Sequence, residues 1–231
     1  MILSNYKIYG FFDFFIPRQC PCCNNKLLTS QTAICDNCLS IIKFADNERL
    51  ETELERKFLS TKIISDFTSL FVFEKDKAIQ SYIHSIKYNK RFLNAEFLGK
   101  LMGEKLSAKI KKWEVDYLVP VPLHQLRIAE RGFNQSRYIA AGISKVMGIR
   151  VINRILRRIK YTETQTNLSL LEREKNISGA FKIRCERSIK NKSFLLVDDV
   201  ITTGATIREC GKVLLQAGAN KIFACSAAIA D

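Results

Sequence analysis

Leu195-Leu196-Val197-Asp198-Asp199-Val200-Ile201-Thr202-Thr203-Gly204-Ala205-Thr206 joins an apolar run, two adjacent carboxylates and a Thr/Gly-rich turn that opens a helix. The unbroken apolar stretch from Ser193 to Val197 suits a central strand covered on both faces, with its carboxyl end turned to a ligand. Residues Thr202 to Thr206 can wrap a phosphate with backbone N–H groups and hydroxyls, helped by the positive end of the following helix. Gly204 permits a close approach that a side chain would block.

Two carboxylates beside a phosphate site need a separate task. Asp198 and Asp199 suit the role of acceptors for ribose hydroxyls, and a Mg²⁺ bridging those hydroxyls and a diphosphate would offset the repulsion, since hard cations favour oxygen ligands. The alternative is a strand-turn-helix in which Asp and Thr serve only as caps.

Working outward, β-rich and 3.6-periodic runs alternate from about Thr61, which predicts an α/β fold with a mainly parallel sheet flanked by helices. Phe67 to Phe73 reads as a strand, and Ile79, Tyr82, Ile83 and Ile86 recur at helical spacing. One helix is expected from Asn94 to Lys111, a short buried strand from Asp116 to Pro122, and a helix from Asn134 to Met147 stopped at Gly148. Val151 to Ile159 mixes apolar and basic residues and reads as either strand or helix. Thr162 to Asn176 is polar, Ile207, Cys210, Gly211 and Leu214 form one helical stripe, and Ile222 to Ile229 supplies a last strand.

A chain of 231 residues can bury one ordinary core with a small module attached. Hydrophobic content of 47% argues against a disordered or fibrous protein. The net charge is +14, and residues 150 to 192 hold 12 basic against four acidic residues, so over half of the excess sits there. Such a field draws phosphate-bearing ligands and polyanions; a solvated basic face is the plainer alternative. Tyr9 to Ile16, YGFFDFFI, is too short for a membrane span or secretory signal and reads as an amphipathic segment docking the N-terminus, with membrane-surface contact as the alternative.

Of eight cysteines, Cys20 with Cys23 and Cys35 with Cys38 form two C-x₂-C pairs. Two such knuckles close a tetrahedral thiolate site for a structural Zn²⁺, whose binding would supply much of the folding free energy of so small a segment. Cys22 is a fifth thiol within reach, and a redox dithiol or a site without metal is the alternative. Cys185, Cys210 and Cys225 suit small hydrophobes, and the usage fits a reducing compartment. The expected organisation is a zinc-ribbon-like module over residues 1–45, a linker or bridging helix over 46–60 and the main domain over 61–231.

The Asp198 to Thr206 pattern resembles the sugar-phosphate signature of type I phosphoribosyltransferases. That resemblance implies that Asp198 and Asp199 hold the ribose and Mg²⁺ of phosphoribosyl diphosphate (PRPP), and that Thr202, Thr203, Gly204, Ala205 and Thr206 hold its 5-phosphate. Val119-Pro120-Val121-Pro122-Leu123 and Arg131-Gly132-Phe133-Asn134-Gln135 resemble motifs of the ComF family of competence proteins, whose pattern related gluconate-associated, GntX-like proteins share. Lys87-Tyr88, Ile155 to Arg158, Gln165 and the stretch from Arg173 to Phe181, with the cysteine pairs, extend the likeness over most of the chain.

The resemblance implies a cytoplasmic protein, or one at the inner face of the membrane, that handles single-stranded DNA in natural transformation through a zinc module and a phosphoribosyltransferase-like domain. The loop after Pro122 carries Arg127 and Arg131, which can clamp a diphosphate; local packing of Arg131 and Gln135 is the alternative. Arg154, Arg157, Arg158, Lys160 and Tyr161 are the expected DNA contacts, within the basic stretches Arg150 to Lys160 and Lys182 to Lys192, with Tyr161, Phe133 or Phe181 stacking on bases. An active phosphoribosyltransferase with an unread acceptor is the second function class. An adaptor whose cysteine module recruits the competence DNA translocase is the third. His84 and His124 read as structural.

Overall fold

The computed structural model describes residues 17–88, 91–161, 176–184 and 189–230. The Tyr9 to Ile16 segment, Gln165, Cys185 and most of Thr162 to Asn176 lie outside the described residues. Five parallel strands form the main sheet in the order β1 (Asp66–Val72), β7 (Lys221–Ile229), β6 (Ser193–Ile201), β2 (Tyr117–Pro120) and β3 (Arg150–Val151). The most apolar strands, β6 and β7, lie inside the sheet, as the double coverage of a parallel strand demands.

Alternate residues of β6 feed two cores. Leu195 and Val197 face a layer made by α3 (Ala78–Tyr88), α4 (Phe92–Lys105) and α7 (Gln135–Met147). Phe194 and Leu196 face the opposite layer, with α8 (Ala205–Gln216) and Leu50 and Phe58 of the segment that includes α2 (Asn47–Lys57). The first core continues into the cysteine-bearing unit through Cys20, Leu27, Ile34 and Ile42, next to the helix α1 (Asp36–Ser40).

The stretch around Asp46 to Lys57 does form a helix. Asp46 caps it by accepting from the Arg49 N–H at 2.8 Å, and Glu48 and Arg56/Lys57 suit the dipole at either end. The long helix expected from Asn94 to Lys111 is instead two, α4 and α5 (Ser107–Lys112). Ser107 Oγ donates to the Glu104 carbonyl at 3.1 Å, one of the side-chain bonds that compete with a helix ladder. The ambiguous Val151 to Ile159 divides between two sheets: β3 ends the main sheet, while β4 (Leu156–Arg158) pairs antiparallel with β5 (Phe181–Ile183). A single period was therefore absent for a physical reason.

Helices α4 and α7 cross at glycine. A Cβ at Gly142 would strike the Glu96 carbonyl oxygen and one at Gly99 the Ile139 carbonyl oxygen, so backbone meets backbone there. Gly142→Ala is expected to destabilise the protein by about 1–3 kcal/mol, since backbone cannot swing aside. Chemical denaturation checks it, and an unchanged midpoint would contradict the close crossing.

Candidate functional site

Strand β6 does not stop before the acidic pair: ladder pairing with β7 runs on to Ile201, so Asp198 and Asp199 are held as strand residues near the carboxyl edge of the sheet. Asp199 is buried, Asp198 half-buried. Ser136 Oγ donates to Asp198 Oδ1 at 2.9 Å, Gln135 Nε2 donates to Asp199 Oδ2 at 3.3 Å, and Lys87 Nζ pairs with Asp199 Oδ2 at 2.9 Å. Three partners thus converge from the C-terminal end of α3 and the first turn of α7. Asn134 opens that turn as its cap, accepting from the Ser136 N–H at 3.0 Å, while its amide donates to the Val121 carbonyl at 2.9 Å.

The two carboxyls differ in charge. Withdrawal from water and the neighbouring Asp199 charge push the Asp198 carboxyl up to about 8. Burial would raise Asp199 too, but the Lys87 ammonium beside it holds it below the usual carboxylate range. The same strand thus drives its two neighbouring carboxyls in opposite directions.

Beyond the strand, Thr202 to Thr206 enclose a small polar pocket of about 30 Å³, lined by Asp198 and residues 200–207. Gly204 adopts φ 74°, a left-handed conformation suited to glycine, as the N-cap of α8. A Cβ there would also meet the Phe58 ring at 2.8 Å. Arg208 fixes the turn from outside, donating to the Thr203 carbonyl at 2.9 Å and the Lys57 carbonyl at 2.6 Å. The sequence reading missed Lys87, Ser136 and Arg208 as parts of this site; Lys87 lay inside a quoted motif without a role, and the other two carried no signal.

Arg127 and Arg131 lie on a short helix, α6 (Gln125–Arg131), rather than in an open loop. His124 Nδ1 accepts from the Leu126 N–H at 3.3 Å at one end and Gly132 closes the other at φ 82°, a cap pair that could have announced it. Arg131 donates to Gln135 Oε1 at 3.4 Å and so reaches the acidic pair through one residue. Arg127 pairs with Glu130 at 2.9 Å and lies over the Tyr161 ring at 5.4 Å.

The expected DNA contacts separate. Arg154 and Arg157 are exposed, whereas Arg158 is half-buried and lies over the Phe181 ring at 5.6 Å. Lys160 donates to the Ser178 carbonyl at 2.7 Å, and Tyr161 packs edge-on against His124 at 5.3 Å. Phe181 is 3% exposed, so a stacking role for it is corrected: inward alternation along β5 places it in the core. Phe133 is half-buried against Phe92 and Tyr138.

The sulfurs of Cys20, Cys23, Cys35 and Cys38 lie within 4.8 Å of one another, with Cys23 and Cys35 at 3.7 Å. Thiolates about 2.3 Å from a tetrahedral Zn²⁺ stand about 3.8 Å apart, so this set can hold a metal ion such as zinc. Cys22 points elsewhere, donating to the Ala78 carbonyl at 3.3 Å where α3 begins. Among the described residues no helix is long and apolar enough to cross a membrane.

Residues 130–229 match the phosphoribosyl transferase domain. That match and the five-stranded parallel sheet flanked by helices agree with a type I phosphoribosyltransferase-like fold. The chain is 37% identical to competence protein F of Haemophilus influenzae over 46% of this chain and 46% of that one. It is 31% identical to the DNA utilization protein YhgH of Salmonella typhi over 61% of this chain and 62% of that one, and 26% identical to competence protein ComFC of Streptococcus pneumoniae over 85% and 87%. The chain thus spans about half to three-fifths of the first two relatives. Among solved structures, the glutamine PRPP amidotransferase of B. subtilis covers 58% of this chain and 26% of its own at 22% identity, with a TM-score of 0.40.

The charge asymmetry sets opposite outcomes for two isosteric substitutions. A carboxyl whose folded pKa is raised, as at Asp198, costs stability as pH climbs from its ordinary range of about 4 towards about 8. Asp198→Asn should remove that decline and exceed the parent protein in stability at pH 8–9. Asp199→Asn should lose about 1–3 kcal/mol, less than for a fully buried pair because the Lys87 side chain is 24% exposed. Denaturant titrations across pH 6–9 check both; equal responses would contradict the asymmetry.

Proposed function

We propose that this chain, a homologue of the competence proteins F and ComFC and of the DNA utilization protein YhgH that carries a phosphoribosyl transferase domain, handles single-stranded DNA in natural transformation and holds PRPP with Mg²⁺ in the β6–α8 cradle. The observation that carries the reading is the juxtaposition of the Asp198–Asp199 pair with the Thr202 to Thr206 turn at one sheet edge. Asp198 and Asp199 would hold the ribose hydroxyls and Mg²⁺, and the backbone and hydroxyls of Thr202, Thr203, Gly204, Ala205 and Thr206 the 5-phosphate. Arg131, linked to Asp199 through Gln135, and Arg127, one turn earlier on α6, would meet the diphosphate. Mg²⁺, when bound, supplies the positive charge that two carboxylates and a diphosphate otherwise lack.

Arg154, Arg157, Arg158 and Lys160 would meet the DNA backbone and Tyr161 its bases, supported by the +8 excess over residues 150–192, 12 basic less four acidic. The cysteine unit would hold one structural Zn²⁺ within residues 1–45, followed by the bridging segment 46–60 and the transferase-like domain 61–231. A cytoplasmic place, with the competence translocase as neighbour, follows from the same role. The second reading, an active phosphoribosyltransferase, is favoured by one observation: Lys87 Nζ stands 2.9 Å from Asp199 Oδ2, a cation that favours the charged carboxylate at the sheet edge. In it a nucleophile displaces diphosphate at the anomeric carbon, and its acceptor is open.

Calorimetry with Mg²⁺ and PRPP, and fluorescence anisotropy with a labelled oligonucleotide, test the main reading together. The Asp198→Asn, Asp199→Asn double variant should bind PRPP at least tenfold more weakly, as loss of charged hydrogen bonds worth about 1.5–3 kcal/mol each requires. Its DNA affinity should remain, and that affinity should fall steeply between 50 and 200 mM salt. PRPP affinity untouched by the substitutions would remove the assigned pocket. Diphosphate release from PRPP in the presence of a panel of bases decides for the second reading.

Metal analysis of protein purified without chelator should give about one zinc per chain. Stripping it should open the cysteine unit to proteolysis, because the metal supplies much of the folding free energy of so small a segment. A ratio well below one overturns the structural-zinc assignment.

A further inference from the structure

Single exposed apolar residues are ordinary on a protein surface, whereas clustered ones mark interaction sites. Beside the Lys87–Asp199 pair the exposed aromatic groups are clustered. Tyr88, the last residue of α3, is 56% exposed, and Phe92, the first of α4, is 44% exposed. They are four positions apart in the chain, so their backbones stand within about 14 Å. The His84 ring lies against Tyr88 with centres 4.4 Å apart, and the Arg131 guanidinium lies over the Tyr88 ring at 5.5 Å. Phe92 in turn meets Tyr138 at 5.3 Å and Phe133 at 6.4 Å.

The core does not require His84, Tyr88 or Phe92 to be where they are, whereas Phe133 and Tyr138 pack partly against it and back the exposed rings. On α3 the buried face is Ile79, Tyr82, Ile83 and Ile86, which leaves His84 and Tyr88 outward. The charge around them has one dominant sign: residues 87–91, KYNKR, hold three basic residues and no acid, and residues 124–138 add Arg127, Arg131 and Arg137 against Glu130 alone. Planar side chains interleaved with cations match unpaired bases on a phosphate backbone, because every base has a face to stack and every nucleotide a charge to meet. A purely apolar protein partner would bury this net positive charge without matching it. The surface also leads somewhere on both sides. At one end Lys87 and, through Gln135, Arg131 touch Asp199; at the other, α6 carries Arg127 onto Tyr161, next to Lys160 and the exposed Arg157.

We infer that the surface formed by His84, Tyr88, Phe92, Arg131 and Tyr138 is a stacking platform for the bases of a single nucleic-acid strand, which it leads across the mouth of the Asp198–Asp199 site. The inference rests on the single-strand role proposed above and moves the base contacts from Tyr161 to this surface, leaving the basic residues around β4 as backbone contacts.

Anisotropy with labelled oligothymidylate and with an abasic oligonucleotide of the same length tests it. The unaltered protein should bind oligothymidylate more tightly than the abasic strand. Tyr88→Ala and Phe92→Ala should each weaken oligothymidylate binding about five- to a hundredfold, as stacking on one aromatic ring implies. They should leave abasic binding and the salt dependence unchanged, while Tyr88→Trp retains affinity. Both positions are exposed, and thermal midpoints equal to the parent protein's confirm that the variants fold. Three results overturn the platform: folded alanine variants that bind oligothymidylate as the parent does, a parent that does not distinguish the two strands, or variants that alter sedimentation of the free protein and not DNA affinity, which marks a self-contact instead. A parent that binds neither strand removes the single-strand role itself, so the two failures are distinct.

Discussion

Two neighbouring carboxyls held near the end of a buried strand are the constraint on which this structure turns. Adjacent residues of a strand point to opposite faces, so Asp198 and Asp199 need separate partners. The fold answers by bringing the end of α3 and the start of α7 to the same edge: Lys87 and Gln135 meet Asp199, Ser136 meets Asp198. The two acids are consequently unlike, one ionised against a cation and one raised to about 8 by burial and its neighbour's charge. Environment separates their states although their chemistry is the same.

That placement requires close control of the layers on either face. On the α3–α4–α7 side, glycine at the crossing of α4 and α7 draws the helices together until backbone touches backbone, which seats α7 against the sheet beside the acids. On the other side, Phe58 packs on Gly204 and Arg208 ties the Thr203 carbonyl to that of Lys57. The Thr202 to Thr206 turn is thus braced by a segment far away in sequence, at the end of α2 and just after it. The helix itself is held by an uncommon device, a Glu53 that is 1% exposed and shared among Arg49, Arg56 and Lys57.

The cysteine unit is joined to the same framework rather than suspended from it. Cys20, Leu27, Ile34 and Ile42 belong to the core that α3 and α4 complete, Cys22 bonds the first residue of α3, and Arg91 donates to the Gln19 carbonyl at 3.0 Å. Helix α3 therefore touches the cysteine unit at its start and the acidic pair at its end, and it carries the exposed His84 and Tyr88 between them.

What the sequence determined by itself is what contiguous residues can encode. The apolar strand, acidic pair and Thr/Gly turn followed from three adjacent short patterns, and the four-thiol set from the spacing of two C-x₂-C pairs. The parallel sheet followed from alternating periodicities, and the N-cap and stop of α7 from Asn134 and Gly148. Other features belonged to the tertiary structure: the cation that pairs Asp199, the use of Cys22, the inward turn of Arg158 and Phe181, and the brace that Arg208 and Phe58 give the turn. Each of these depends on which distant side chain arrives at a given face, and packing of the two layers on the sheet, not local propensity, decides that.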